Sequence, residues 1–307
     1  MTSTTAQPPR VFVGPTRNAE LDRLVAAAGG TVVDSAADAD TLVMTGGPDA
    51  LRELDHDGIE WVQLPSAGIE GWFSAGVLRE GVTYTSAGGA YAPACAEHSL
   101  ALMLALARRL DVFSQATNWA PVDGVTLFGA RVLIVGAGGI GKELMRLMAP
   151  FGVTVDTINH SGRPVEGAER TATAEGLLDL IADADFVVDC APSTPSTRGL
   201  IGPEAFNAMK PSAYLVNVGR GPTIDTDALV AALQNGQIAG AGLDVTDPEP
   251  LPDGHPLWST PRTIITSHTA NPTALNQAAR AERVRENVER KVAGHDLLGL
   301  VDLDKQY

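Results

Sequence analysis

The 307-residue chain is expected to be an α/β protein built on a doubly wound parallel sheet, with a second, smaller α/β unit beside it. Three observations carry this expectation. Residues 131–158 read as strand, glycine turn, helix and strand. Short apolar runs alternate with helical stretches on both sides of that segment, and the length exceeds one comfortable hydrophobic core.

From Val11 the chain alternates VFVG, a helical stretch from Ala19 to Ala28, then TVV, TLVM, WVQL and VTY. Apolar runs this short, bounded by turn residues, are strands buried on both faces of a parallel sheet. Gly46-Gly47-Pro48 and Leu64-Pro65-Ser66-Ala67-Gly68 punctuate two strand ends. Ligands of open parallel sheets gather beyond the carboxyl ends of strands. Ser66, Ala67 and Gly68 therefore read either as an anion-binding loop of backbone N–H groups or as a plain turn. Ala92 to Leu110 is apolar around much of its circumference and is expected as a buried helix. Within it, Glu97 and His98 read as a helix-face pair without chemistry.

The apolar run Val132 to Val135 ends in Gly136-Ala137-Gly138-Gly139-Ile140-Gly141; a helix follows over Lys142 to Ala149 and a strand over Val153 to Ile158. That context makes the glycines a dinucleotide-binding turn. Gly136 permits the turn, Gly138 lets a pyrophosphate approach the backbone, Gly141 lets helix pack on strand, and the phosphates rest on free N–H groups at the helix start. The second strand ends at Asn159, where an NAD site would carry Asp or Glu for the ribose 2′-hydroxyl. Asn159, His160, Ser161 and Arg163 offer neutral and cationic donors instead, so the expected cofactor is NADP, with NAD possible. Further strands are expected at DFVVDC, YLVNV, AGAGLDV and TIIT, separated mostly by helices and joined by right-handed crossovers. Residues 273–294 read as one long charged helix.

Composition excludes several classes. Hydrophobic content of 44% and charged content of 19% describe an ordinary globular protein. The net charge of −15 opposes nucleic acid, and no apolar stretch reaches the roughly 18 residues of a spanning helix. The opening MTSTTAQPPR lacks an apolar signal region and reads as a short frayed tail. Two cysteines, Cys95 and Cys190, with no metal or disulfide spacing, suggest a reducing cytoplasm and no structural metal.

Three ionisable residues stand just past strand ends: Arg220 after YLVNVG, Glu249 in Asp247-Pro248-Glu249-Pro250, and His268 after TIIT. All three should face the sheet edge that receives the nicotinamide. Arg220 can hold a carboxylate or 2-keto acid through its planar fork of donors. His268 can move a proton to or from the substrate oxygen as hydride moves at carbon, and Glu249 would orient its ring.

The pieces VGAGGIG, DFVVDCAPSTPSTRGLI, YLVNVGRGPTIDTDALVAAL, AGLDVTDPEPLP, SHTAN and LVDLDKQY, in this order, make the chain resemble the D-isomer-specific 2-hydroxyacid dehydrogenases over nearly its whole length. The resemblance implies a Rossmann dinucleotide domain over residues 93–285 and a smaller flavodoxin-like substrate domain made of 1–92 and 286–307. It implies catalysis by Arg220, Glu249 and His268, with hydride passing between nicotinamide C4 and substrate C2. It also implies cofactor contacts at Gly139, Ile140, Pro192, Thr197, Val218 and Asp244, the last holding the carboxamide, and at Thr269, Ala270 and Asn271. Substrate contacts at Ser66, Ala67 and Gly68, and a homodimer paired through the helix beginning near Pro93, follow from the same likeness. The implied activity is reduction of a small 2-keto acid of the glyoxylate or hydroxypyruvate type. The alternatives are an NAD-dependent phosphoglycerate dehydrogenase-like enzyme and a non-enzymatic NAD(P)-sensing protein. Two departures from the family pattern stand out: Asn159 and His160 at the ribose position, and Ser267 where a proline commonly precedes the histidine.

Overall fold

The structure, a computed structural model, describes residues 7–119 and 121–306, so most of the expected N-terminal tail lies outside the described residues. The chain forms two compact units, Met1–Tyr91 with Thr273–Tyr307, and Ala92–Pro272.

In the first unit, strand β1 (Arg10–Gly14) leads to helix α1 (Ala19–Ala27), capped by Asn18, whose side chain accepts from the N–H groups of Glu20 and Leu21. Strands β2 (Thr31–Val32) and β3 (Thr41–Met44), helix α2 (Pro48–Leu54), strand β4 (Trp61–Gln63), helix α3 (Glu70–Ser74) and strand β5 (Thr83–Thr85) follow. All pairings are parallel, in the order β2-β1-β3-β4-β5, the flavodoxin-like arrangement. The strands carry the apolar runs read from the sequence, and Val11, Val13, Leu42, Val43 and Val62 are wholly buried in them.

The second unit opens with helix α4 (Ala92–Ala107), which ends where Arg109 takes a left-handed backbone (φ 55°), followed by the short α5 (Leu110–Phe113). Strand β6 (Arg131–Val135), helix α6 (Gly139–Met148), strands β7 (Thr154–Ile158) and β8 (Arg170–Ala172), helix α7 (Leu177–Ile181) and strand β9 (Phe186–Asp189) come next. Helix α8 (Pro203–Ala208), strand β10 (Tyr214–Asn217), helix α9 (Thr226–Gln234), β11 (Gly240–Leu243) and β12 (Thr263–Ile265) complete it. The sheet is parallel throughout, ordered β12-β11-β10-β9-β6-β7-β8. It is the doubly wound sheet expected, reversing between β6 and β9, and hydrophobic cores cover both its faces.

Helix α10 (Thr273–Ala293) returns the chain to the first unit. A domain boundary near residue 285 would cut this helix. It is continuous, and Ala281, Val284 and Val288 are buried with Val11, Val13, Leu21 and Val25 in one cluster, so the whole helix belongs to the first unit.

Candidate cofactor and catalytic site

The glycine turn after β6 has the clearances that a dinucleotide needs. Gly136 lies at φ +91°, and a Cβ there would stand 2.7 Å from the Ala191 nitrogen; at Gly141 it would stand 2.9 Å from the Gly136 carbonyl. Both positions exclude side chains because the chain packs on itself. Gly138 differs, since a Cβ on it would meet nothing within 4 Å, which leaves open space beside the backbone. Helix α6 starts at Gly139 next to Ile140, and no side chain among the described residues caps it at Gly138. An uncapped helix start with an open glycine approach fits a pyrophosphate on this structure's own geometry.

At the end of β7 the Asn159 side chain turns inward on its own loop: its Nδ2 donates to the Arg163 carbonyl at 2.9 Å, and its Oδ1 accepts from the Ser161 N–H at 3.1 Å. The loop is thereby pre-shaped, and His160, Ser161 and Arg163 are exposed on it. At the end of β9, Thr197 Oγ1 donates to the Pro192 carbonyl at 2.6 Å and receives the Thr194 N–H at 2.8 Å, closing a tight turn. Buried Val218 donates its N–H to the Asp189 carbonyl at 3.0 Å.

Glu249 and His268 meet, with Nδ1 of the imidazole 2.6 Å from Oε1 of the carboxylate and both side chains about half exposed. Both residues follow the carboxyl ends of adjacent strands, β11 and β12, and Arg220 follows β10 beside them. Arg220 is braced at its backbone. Its carbonyl accepts from Asn217 Nδ2 at 3.0 Å and lies 2.6 Å from Thr223 Oγ1, and its Nη1 donates to the Gly219 carbonyl at 2.7 Å. The expected sheet edge is therefore the one that carries the trio.

Asp244 sits at the centre of a network that sequence reading did not find. Its buried carboxylate accepts from the N–H groups of Thr269 (2.9 Å) and Ala270 (3.0 Å) and from the Thr266 hydroxyl (2.6 Å), while its own carbonyl accepts from the His268 N–H (2.8 Å). Three of its acceptor sites are thus spent on the loop that presents His268, whereas the resemblance assigned it to a carboxamide; one lone pair on Oδ2 is left for a ligand. His98, read as chemically idle, reaches into this network: its Nε2 is 2.9 Å from Thr266 Oγ1 and 3.5 Å from Asp244 Oδ1. Asn271 closes the loop with Nδ2 buried and unbonded among the described residues, a donor left over for a bound group. Cys95 lies against the same site, and burial first, then the Asp244 charge, push its thiol up to about 11, so it is no nucleophile at neutral pH.

The loop expected to touch substrate belongs to the first unit. Ser66 Oγ donates to the Gly68 carbonyl at 2.6 Å, and the Ser66 carbonyl accepts from the Ala87 N–H at 2.9 Å, so Ser66, Ala67 and Gly68 form a compact turn held to the segment after β5. Among the described residues there is no group of three potential metal ligands, and no helix is long and apolar enough to cross a membrane.

A doubly wound parallel sheet, an open glycine turn and an imidazole–carboxylate pair at the strand ends define a nicotinamide-dependent oxidoreductase. The family of D-isomer specific 2-hydroxyacid dehydrogenases, in its NAD binding domain, matches residues 100–270, and the chain belongs to that family. A Corynebacterium melassecola protein from the proB 3′ region is 40% identical over 90% of this chain and 92% of its own length. The human glyoxylate reductase/hydroxypyruvate reductase is 32% identical, covering 81% of this chain and 77% of that protein. The crystal structure of a D-isomer specific 2-hydroxyacid dehydrogenase from Xanthobacter autotrophicus Py2, in complex with NADPH and MES, superposes with a TM-score of 0.84 at 27% identity over 98% of this chain and 100% of that one.

Proposed function

We propose that this protein reduces a small 2-keto acid, of the glyoxylate or hydroxypyruvate type, to the D-2-hydroxy acid with NADPH. The observation that carries the proposal is the 2.6 Å pair of His268 and Glu249 placed beside Arg220 at the carboxyl edge of the sheet. When bound, the nicotinamide supplies hydride to the substrate carbonyl carbon. Its pyrophosphate would be held by Gly138, Gly139 and Ile140 at the start of α6, and the nicotinamide end by Val218, the remaining Asp244 lone pair, and Asn271.

The chain's own residues do the remaining work. Arg220 holds the substrate carboxylate through its guanidinium fork, fixing which face of the carbonyl is presented. His268 gives its proton to the carbonyl oxygen in reduction and takes it back in oxidation, and Glu249 fixes the ring through Nδ1 so that Nε2 faces the reacting oxygen. NADPH is favoured over NADH because the end of β7 offers Asn159, His160, Ser161 and Arg163 and no carboxylate to repel a 2′-phosphate. The reading also includes a homodimer, supported by exposed Leu110, Phe113 and Trp119 after α4, and a cytoplasmic location, supported by the free Cys95 and Cys190.

Initial rates with both nicotinamides against glyoxylate, hydroxypyruvate and a phosphorylated 3-carbon keto acid test this. NADPH oxidation with the unphosphorylated acids is expected, and His268→Asn should lower turnover by ~100-fold or more while cofactor binding persists. Tight cofactor binding with no turnover on any acid would reduce the protein to a nucleotide sensor, and activity confined to NADH and the phosphorylated acid would move it to the phosphoglycerate branch.

A further inference from the structure

We infer that His98, on helix α4, is a positioning residue for His268, acting through Thr266 and Asp244. This rests on the catalytic reading of His268, and the measurements below separate the two.

The backbone supplies the need. His268 has φ +53°, a left-handed conformation that is unfavourable for a residue with a Cβ and persists only where surrounding bonds over-determine it. Glu249 holds the ring, while the backbone bonds converge on one other residue. Asp244 accepts the His268 N–H at its carbonyl and the next two backbone N–H groups, Thr269 and Ala270, at its carboxylate. The backbone that carries the strained histidine is thus tethered to Asp244, whose side chain, with 1% exposure, holds the two residues after His268 and must itself be fixed in orientation.

Two groups fix it. Thr266 donates its one hydroxyl hydrogen to Asp244 Oδ1 at 2.6 Å. Having spent that hydrogen, Thr266 Oγ1 can only accept from His98 Nε2, 2.9 Å away, so His98 must carry a proton on Nε2. The same N–H lies 3.5 Å from Asp244 Oδ1, close enough to lend it positive potential. His98 therefore completes a chain of donors, imidazole to hydroxyl to carboxylate, that ends on the loop presenting His268. Helix α4 is a rigid mount for it, with Ala96, Ser99, Leu102 and Met103 buried along the face that packs on the sheet.

The test compares His98→Leu, which removes the donor, His98→Gln, which can restore an N–H near the same place, and Thr266→Val, which removes the bridge. Amide hydrogen exchange at Thr269 and Ala270 should speed up about 10-fold in the Leu and Val variants and return towards the wild-type rate in the Gln variant. In the nitrogen-correlated spectrum of the whole protein, His98 should show its proton on Nε2. With keto acid and NADPH, kcat should fall about 10-fold in the Leu variant with KM little changed, and the Leu/Val double variant should be no worse than either single one. A folded Leu variant with unchanged exchange at residues 269 and 270, or a His98 protonated only on Nδ1, overturns the inference. If the Leu variant does not fold, His98→Asn, too short to reach Thr266, decides it by the same exchange readout. Failure of the wild-type enzyme to turn over any keto acid would remove the proposed function and leave the exchange and tautomer results to judge His98.

Discussion

Asp189 ends β9 with no solvent exposure, in register with Val135 and Asn217, which end the strands leading into the glycine turn and the Arg220 loop. Burial pushes its carboxyl up to about 6, against hydrogen bonds from the Thr223 hydroxyl and the Ala191 N–H, which pull it down. In the unfolded chain it titrates near 3.9, so between those values the folded state holds the proton more tightly. Its contribution to stability is complete below about pH 4 and is lost as pH rises through 6, a swing of about 3 kcal/mol at ~1.4 kcal/mol per unit. Thr223 Oγ1 also lies within reach of the Arg220 carbonyl, so an amide at position 189 can donate to that hydroxyl and free its hydrogen for Arg220. Asp189→Asn should therefore be more stable than the wild type by roughly 1–3 kcal/mol at pH 7.5 and gain nothing below pH ~4, as read from urea melts at both pH values. A pH-independent difference would refute the buried carboxylate as the cause. Arg220, Glu249 and His268 were legible in the sequence because each stands just past an apolar run, so strand polarity alone sends all three to one edge. His98 was not, because its partner Thr266 lies 168 positions away and a histidine on a helix carries no mark of what it faces.

At the scale of the element, the far edge of the larger sheet is stitched by charge. Asp156 of β7 has no exposure and binds Arg131 of β6 at 2.9 Å and Arg170 of β8 at 2.6 Å. Burial alone would raise its pKa, but the bonds from Arg170 and then Arg131 outweigh that and hold it below the usual carboxylate range. Its stabilising share is therefore present above pH ~4 and is lost as pH falls through the depressed folded value. Removing the carboxylate strands two partly exposed guanidinium groups, which keep Glu169 and Asp183 as second partners. Asp156→Ala should cost about 2–4 kcal/mol at neutral pH, with amide exchange of residues 170–172 rising most; exchange spread evenly over the sheet would show that β8 does not depend on the pair. This also explains why β8 escaped the reading of the sequence. Arg-Thr-Ala has neither an apolar run nor an alternation, and its place in the sheet comes from ion pairs with residues of other strands. Strands β3, β6, β9 and β10, buried almost throughout, announce themselves instead as the short apolar runs TLVM, VLIV, FVV and YLV.

At the scale of the whole molecule, the two units depend on chain continuity in opposite ways. The hydrophobic clusters on both faces of the larger sheet are built wholly from residues 92–272. The first unit borrows across the sequence: Ala281, Val284 and Val288 of α10 complete the core around Val11, Val13 and Trp61, and Asn287 Nδ2, wholly buried, donates to Gln63 Oε1 at 2.8 Å and to the Leu298 carbonyl at 2.9 Å. The sequence predicted that both chain ends build this unit, yet it placed the return near 285, because the charged face of α10 conceals which turns are buried. Losing the burial of two valines and an alanine forfeits roughly 4–7 kcal/mol at 1.5–3 kcal/mol per large side chain, comparable with the 5–15 kcal/mol that holds a domain folded. Residues 92–272 expressed alone should therefore unfold in one cooperative transition and retain nicotinamide dinucleotide binding by fluorescence titration, without turnover. Residues 1–91 alone should show no cooperative transition, and joining 273–307 to them through a flexible linker should restore one. A folded 1–91 fragment would mean that α10 packs against a unit already complete, and an unfolded 92–272 fragment would mean that the larger sheet draws stability from outside its own two cores.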